Sequence, residues 1–149
     1  MRQINEVIVH CTATRPNWNA EKSAGDIVRI IRGWHTKERG WSDIGYHMVI
    51  HRDGTVALGR PVERSGAHTK GRNKSSIGIA LVGGFGSEAN DKFEQHFTDE
   101  QADALMKLLK DLRGLYPEIE EISGHNAYAS KACPGFQIKE FIEEYNKGS

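Results

Sequence analysis

Short apolar segments along the chain predict a set of β-strands. Five segments have this character: residues 4–11, 46–51, 55–59, 76–82 and 119–123. The first and the fourth are continuous apolar runs, which are typical of strands buried on both faces of a sheet. Asp53 and Gly54 separate the second segment from the third, and this pair of residues is a strong signal for a tight antiparallel hairpin.

Elsewhere in the chain the apolar residues repeat with the period of a helix. In residues 24–39 they recur at positions i, i+3, i+4 and i+7, and Gly40 follows where a helix commonly ends. A second helix begins at a capping box formed by Thr98 and Gln101 and continues through regularly spaced leucines. Residues 135–145 form a third amphipathic segment.

Strands that alternate with helices predict an α/β fold with a central mixed β-sheet flanked by helices, in a single domain over residues 1–149. The sheet is expected to be mixed because the hairpin supplies an antiparallel pair. Residues 60–75 are polar and show no period, so we predict a long surface loop there. Loops of this length in compact domains often carry function.

The charges of the chain balance, with 20 Lys and Arg against 20 Asp and Glu among 149 residues. This balance argues against a nucleic-acid partner, because proteins that neutralise phosphates carry excess positive charge. No apolar run approaches the ~20 residues of a membrane span, and the first residues lack the ~7–15-residue apolar stretch of an export signal. We therefore expect a monomer that is made in the cytoplasm and binds no membrane.

Candidate metal ligands lie at the ends of two predicted strands. His10 closes the first strand, His125 follows the last strand, and Cys133 comes eight residues later. Imidazole and thiolate are good zinc ligands, and three protein ligands with one open position are typical of a catalytic zinc site. The spacing alone is equally compatible with a surface histidine, a loop histidine and a buried thiol.

Several motifs along the chain resemble, in their order, those of the zinc-dependent N-acetylmuramoyl-L-alanine amidases. The motifs are IVHCTAT at residues 8–14, GWSDIGYHMVI at 40–50, SIGI at 76–79, His125, and KACPG at 131–135. The chain is most similar to the phage lysozyme-like branch, which shares its fold with peptidoglycan recognition proteins. The resemblance covers nearly the whole chain. It implies an endolysin that hydrolyses the amide bond between N-acetylmuramic acid and L-alanine in bacterial peptidoglycan.

The same resemblance implies roles for individual residues. It assigns one Zn²⁺ to His10, His125 and Cys133, and catalytic roles to Tyr46 and Lys131. Lys131 would stabilise the negative charge that develops on the carbonyl oxygen during hydrolysis. Two alternatives stay open at this point: an intracellular amidase that recycles wall fragments, and a module that binds peptidoglycan without cleaving it.

The other histidines and the second cysteine have more local interpretations. His68 lies in a segment that the resemblance places beside the substrate groove, so we predict that it contacts substrate, with an exposed loop position as the alternative. His47 is predicted either to line the groove or to be buried in the core. Cys11 alternates with His10 along its strand and is predicted to be a core thiol. Three histidines are predicted to lie at the surface: His35, His51 and His96.

Overall fold

A five-stranded mixed sheet forms the centre of the protein in the computed structural model, which describes residues 2–148. The strands are β1 (Glu6–Cys11), β2 (Met48–Ile50), β3 (Val56–Leu58), β4 (Ser76–Leu81) and β5 (Glu121–Gly124). Their order across the sheet is β3-β2-β4-β1-β5, and only the β2–β3 hairpin is antiparallel. The predicted mixed sheet is therefore confirmed. Met1 and Ser149, the two ends of the predicted domain, lie outside the described residues.

Three helices cover the sheet: α1 (Ala24–Gly33), α2 (Asp99–Leu115) and α3 (Ile138–Lys147). Helix α2 begins at the predicted capping box, in which the Thr98 side chain accepts a hydrogen bond from the backbone N–H of Gln101 and the Gln101 side chain accepts one from the backbone N–H of Thr98. Helix α1 is shorter than predicted, because its last turn widens into a π-helix over Trp34–Glu38. Gly40 then ends the segment in the left-handed region, with φ +72°.

The sheet is covered on both faces, as the apolar character of its parallel strands requires. On one face, Val7, Val9 and Cys11 of β1 pack in a large cluster with the apolar sides of α2 and α3. On the other face, α1 packs against β2 and β4 in a second cluster that includes Ile27 and Ile31. The prediction that Cys11 is a core thiol is confirmed, since its side chain is buried in the first cluster.

The prediction of a surface loop over residues 60–75 is wrong for three of its side chains. Arg60, His68 and Thr69 are all buried. The Arg60 guanidinium donates hydrogen bonds to the backbone carbonyls of Ile44 (2.9 Å) and Ser65 (2.8 Å), which fold the segment onto the sheet. A buried cation of this kind is tolerated because its donors are satisfied by carbonyl oxygens.

Two of the three histidines predicted at the surface are buried. His35 accepts a hydrogen bond from the Gly45 backbone N–H at Nδ1 (2.8 Å), and His51 Nε2 donates to the Lys22 carbonyl (2.7 Å). Each imidazole forms a hydrogen bond with a backbone group that lies outside the strands and helices. Sequence periodicity does not reveal which of these backbone groups need a side-chain partner. His96 is half-buried, 2.8 Å from Asp91.

Among residues 2–148, no helix has the length and apolar character needed to cross a bilayer.

Candidate active site

The parallel pairing of β1 with β5 brings His10 next to His125. Val9 pairs with Gly124, so the residues that follow them, His10 and His125, lie at the same edge of the sheet. The two imidazole rings lie with their centroids 4.6 Å apart. The potential ligand atoms of His10, His125 and Cys133 all lie within 4.8 Å of one another. The three residues that the sequence suggested as ligands are thus brought together from distant parts of the chain.

Backbone contacts to β1 hold the thiol of Cys133. The Cys11 backbone N–H donates a hydrogen bond to Cys133 Sγ at 3.2 Å, and His10 Nδ1 lies 3.9 Å from the same sulfur. The side-chain thiol of Cys11 and burial raise the pKa of Cys133 and outweigh the backbone N–H, which lowers it, so the Cys133 thiol keeps its proton when no metal is bound. A metal ion that binds this sulfur must displace its proton.

The imidazole of His10 is buried and uncharged. Burial lowers its pKa well below the ordinary value, and the neighbouring His68, His125 and Lys131 lower it further. The pKa of His125 is lowered for similar reasons, first by burial and then by Lys131. A neutral imidazole keeps a free lone pair, which is the form that binds a metal.

The donor set and its spacing fit a zinc ion. Tetrahedral ligands at the usual zinc distances lie roughly 3.3–3.8 Å apart, close to the 3.9 Å between His10 Nδ1 and Cys133 Sγ. Two imidazoles and one thiol form a nitrogen–sulfur set that zinc accepts readily, and three protein ligands leave a fourth position open.

A line of hydrogen bonds beneath His10 fixes its tautomer. The Ser76 hydroxyl donates to the Arg72 carbonyl at 2.8 Å, so the same hydroxyl is free to accept from His68 Nε2, 3.3 Å away. His68 Nδ1 then accepts from His10 Nε2 at 2.9 Å. This arrangement leaves His10 Nδ1 unprotonated on the side of Cys133. Burial lowers the pKa of His68 to about 3, which keeps its Nδ1 available as an acceptor.

Tyr46 and Lys131 are both neighbours of the ligand candidates. The Tyr46 ring is tilted against the His10 ring, with centroids 5.2 Å apart. Burial is the main cause that raises the pKa of Tyr46, so its hydroxyl keeps its proton at neutral pH. Lys131 is exposed, two residues before Cys133, and its charge contributes to the lowered pKa values of His10 and His125.

A groove of about 480 Å³ extends from His125 and Lys131 across the loop of residues 67–73. Its lining includes the cations Arg39, Lys70 and Lys131 and no acidic side chain among the described residues. The groove therefore favours anionic ligands. Its lining also includes Trp41, His68 and Tyr128.

A family model described as N-acetylmuramoyl-L-alanine amidase matches residues 1–136. This chain belongs to that family. The match contains all three ligand candidates and both walls of the groove. The amidase function predicted from the motifs, with bacterial peptidoglycan as substrate, is therefore confirmed.

Individual relatives of this amidase agree with the family match. The chain is 42% identical to an endolysin of Enterobacteria phage K11 over 142 residues, which cover 95% of this chain and 87% of the relative. A solved N-acetylmuramoyl-L-alanine amidase, LysC from Clostridium intestinale, superposes with a TM-score of 0.72 at 28% identity and covers 97% of this chain and 87% of that one. The structure of PGRP-SA from Apis mellifera superposes with a TM-score of 0.75 at 27% identity, over 96% and 83% of the two chains. The predicted peptidoglycan-recognition-protein-like fold is confirmed.

The two histidines that were predicted to contact substrate lie in different places in this amidase. His68 borders the groove, but its ring is buried and its Nδ1 is occupied by His10. His47 is 0% exposed, accepts from the Gly78 N–H at Nδ1 (3.0 Å) and donates to the Arg64 carbonyl from Nε2 (2.8 Å). Direct substrate contact does not fit a side chain without exposed surface, so His47 belongs to the core.

Sequence reasoning missed two residues around the site of this amidase. Ser76 completes the hydrogen bonds beneath His68, and Tyr128 forms part of the groove. The serine of the SIGI motif was a usable signal, since a hydroxyl that begins a buried strand needs a partner. Tyr128 had no such signal, because its main partner is Glu6, at the other end of the chain.

Proposed function

We propose that this amidase is a zinc-dependent endolysin that cleaves the bond between N-acetylmuramic acid and L-alanine with one Zn²⁺ held by His10, His125 and Cys133. The convergence of two neutral imidazoles and one thiol beside a cationic groove carries the proposal. The endolysin of phage K11, similar over most of both chains, supports the lytic role over the recycling of wall fragments.

The protein groups around the ligands supply positioning and charge. When bound, zinc at an open site polarises a carbonyl oxygen and lowers the pKa of a water molecule to around 7. The Lys131 ammonium attracts the negative charge that develops on the carbonyl oxygen of the scissile amide. His68 holds His10 in the tautomer that presents Nδ1 to the ion.

Tyr46 acts in this scheme as a hydrogen-bond donor. Burial raises its pKa, which keeps the hydroxyl protonated and able to donate to an oxygen beside His10. The arginine and lysines of the groove bind the stem peptide, whose carboxylates complement their charge. The substrate in this scheme is insoluble peptidoglycan, reached after release from the cytoplasm, and the enzyme acts as a monomer without nucleic-acid or membrane partners.

Digestion of purified peptidoglycan with end-group analysis tests the proposal. We expect new L-alanine amino termini, which disappear when a chelator removes zinc and return when zinc is added back. New reducing sugar ends would identify a glycosidase and contradict the proposed chemistry. Retention on the insoluble wall without any cleavage would identify a binding module instead.

A further inference from the structure

Glu6 is a buried carboxyl group at the opposite end of β1 from the candidate metal ligands. Only 2% of the surface of Glu6 is exposed. Because side chains alternate along a strand, Glu6 projects from the same face of β1 as His10, four residues later. A carboxyl group in such a place is costly unless several donors satisfy it. Glu6 takes no part in the scheme proposed for hydrolysis.

Three side chains from different parts of the chain meet at this carboxyl group. The Tyr128 hydroxyl donates a short hydrogen bond to Glu6 Oε2, and the Ser123 hydroxyl donates to the same oxygen at 2.8 Å. Arg72 Nη1 lies 3.6 Å from Glu6 Oε1. The Arg72 guanidinium also stacks over the Tyr128 ring, 4.2 Å from its centroid.

Two partners of Glu6, Arg72 and Tyr128, lie in the two segments that form the walls of the groove, residues 67–73 and residues 125–131. Arg72 ends the loop that carries His68 and Lys70, and its carbonyl accepts the hydrogen bond from Ser76. Tyr128 itself lines the groove on the other side, three residues after His125 and three before Lys131. One buried carboxyl group thus ties both walls to the first strand of the sheet.

We propose that Glu6 is a positioning residue for substrate binding, which sets the spacing of the two groove walls by holding Tyr128 and Arg72. The inference rests on the proposed function of the groove as the binding site for the stem peptide. Glu6 does not touch the substrate. Its effect on one wall passes through Tyr128, so loss of the tyrosine hydroxyl loosens that wall and weakens binding without removing a candidate ligand of the metal.

The test compares Tyr128→Phe with Tyr145→Phe. Both changes delete one hydroxyl bonded to a carboxyl group, but Tyr145, on α3, donates to Asp103 of α2 at 2.7 Å and neither residue lines the groove. With a soluble N-acetylmuramoyl peptide, we expect Tyr128→Phe to raise KM about tenfold, the factor expected for one charge-assisted hydrogen bond, with kcat within about twofold and zinc content unchanged. Tyr145→Phe is expected to leave KM unchanged.

Hydrogen exchange supplies a measurement that does not depend on turnover. We expect the backbone amides of residues 125–131 to exchange faster in Tyr128→Phe than in the wild type, and those of Tyr145→Phe to match the wild type there. Glu6→Gln combined with Tyr128→Phe should raise KM by less than the product of the two single effects, because the contact between Glu6 and Tyr128 is disturbed in both single variants.

The inference would be overturned by an unchanged KM in Tyr128→Phe or by unchanged exchange of residues 125–131 in that variant. It would also be overturned if the increase in KM of the double variant equalled the product of the increases in the two single variants. A fall in zinc content that matches the fall in activity would also overturn it, since the contact would then support the metal ligands. If the wild-type protein does not hydrolyse the peptide, the proposed function fails, and the exchange measurement alone decides whether Glu6 holds the wall.

Discussion

The two ring nitrogens of His10 have different partners, and this difference decides which one can bind a metal. Nε2 donates to His68, while Nδ1 lies on the side of Cys133. Histidines that ligate zinc commonly donate their other N–H to a fixed acceptor, which sets the ring orientation. In this protein the acceptor is another imidazole, kept neutral by burial.

Replacing Cys133 should remove the metal and the activity together. We expect Cys133→Ala to lose stoichiometric zinc, because the thiolate supplies both negative charge and affinity. Metal analysis after dialysis checks this expectation. The comparison is Cys11→Ala, which removes the thiol that raises the pKa of Cys133 but keeps the backbone N–H that contacts it, so we expect this variant to retain zinc. Stoichiometric zinc in Cys133→Ala would contradict the ligand assignment.

Replacing Lys131 should separate metal binding from catalysis. We expect Lys131→Ala to retain zinc and to lose kcat by ~10²–10³, the usual effect of removing one group that stabilises an oxyanion. Lys107→Ala is the control, since Lys107 is an exposed lysine on α2 that pairs with Asp111. Turnover close to the wild type in Lys131→Ala would show that Lys131 is not catalytic.

At the scale of secondary-structure elements, the cap of α2 joins the helix to the sheet. Besides capping the helix, the Thr98 hydroxyl donates to the Arg52 carbonyl at 2.6 Å. The buried Gln101 amide donates to the carbonyls of Ile50, the last residue of β2, and Val82, which follows β4. The first turn of α2 therefore satisfies the backbone carbonyls where two strands end.

Loss of this cap should cost more than loss of the cap of α1. We expect Thr98→Ala to lower the free energy of unfolding by about 1–2 kcal/mol, and Ser23→Ala by about 0.5–1 kcal/mol. The difference follows from the partners, because Ser23 caps only the Asp26 N–H at an exposed helix start. Urea unfolding of both variants measures it. Equal losses would indicate that the bond from Thr98 to Arg52 adds no stability.

Elements whose determinants are local could be predicted from the sequence. The capping box of α2 spans four residues, and the Asp53-Gly54 hairpin closes within the segment it joins, so both predictions are confirmed. The folding of residues 60–75 onto the sheet could not be predicted, because Arg60 finds its carbonyl on Ile44, 16 residues away. Periodicity indicates which side chains are apolar, but it does not predict which distant backbone carbonyl will need a hydrogen-bond donor.

The same distinction applies to the site. Motif resemblance suggested the ligand candidates, whereas the neighbours that orient them follow only from the strand order. His68 reaches His10 because β4 lies beside β1, an adjacency that no local pattern encodes. The burial of His47 has the same origin, since its acceptor nitrogen meets the N–H of Gly78 in β4.

At the scale of the whole molecule, buried neutral histidines make the stability of the protein depend on pH. Burial lowers the pKa of His47 to about 4, from an ordinary value of 6.5. Between these values the unfolded chain binds a proton that the folded protein does not bind, so folding is favoured above pH 6.5 and becomes less favourable as the pH falls towards 4. His35, with its pKa lowered to about 4, adds to the same trend.

The histidine contribution can be measured by replacing one of these side chains. Each such group contributes up to about 1.4 kcal/mol per pH unit in this range. We expect the wild type to lose more unfolding free energy than His47→Gln between pH 7 and pH 5, by about 1–2 kcal/mol. His47 is not one of the proposed metal ligands, so a bound metal would contribute equally to both proteins. Parallel losses would show that His47 is protonated in the folded state.

The pairing of β1 with β5 has a consequence for the newly made chain. His10 is translated long before His125 and Cys133, and β1 lies between β4 and β5 in the finished sheet. Because the C-terminal strand must dock before the three ligands meet, a partly synthesised chain holds no complete site. With the proposed ligands, we expect hydrolysis to be withheld from a nascent chain until Cys133 has been made and β5 has docked, so lytic capacity should rise only after that point.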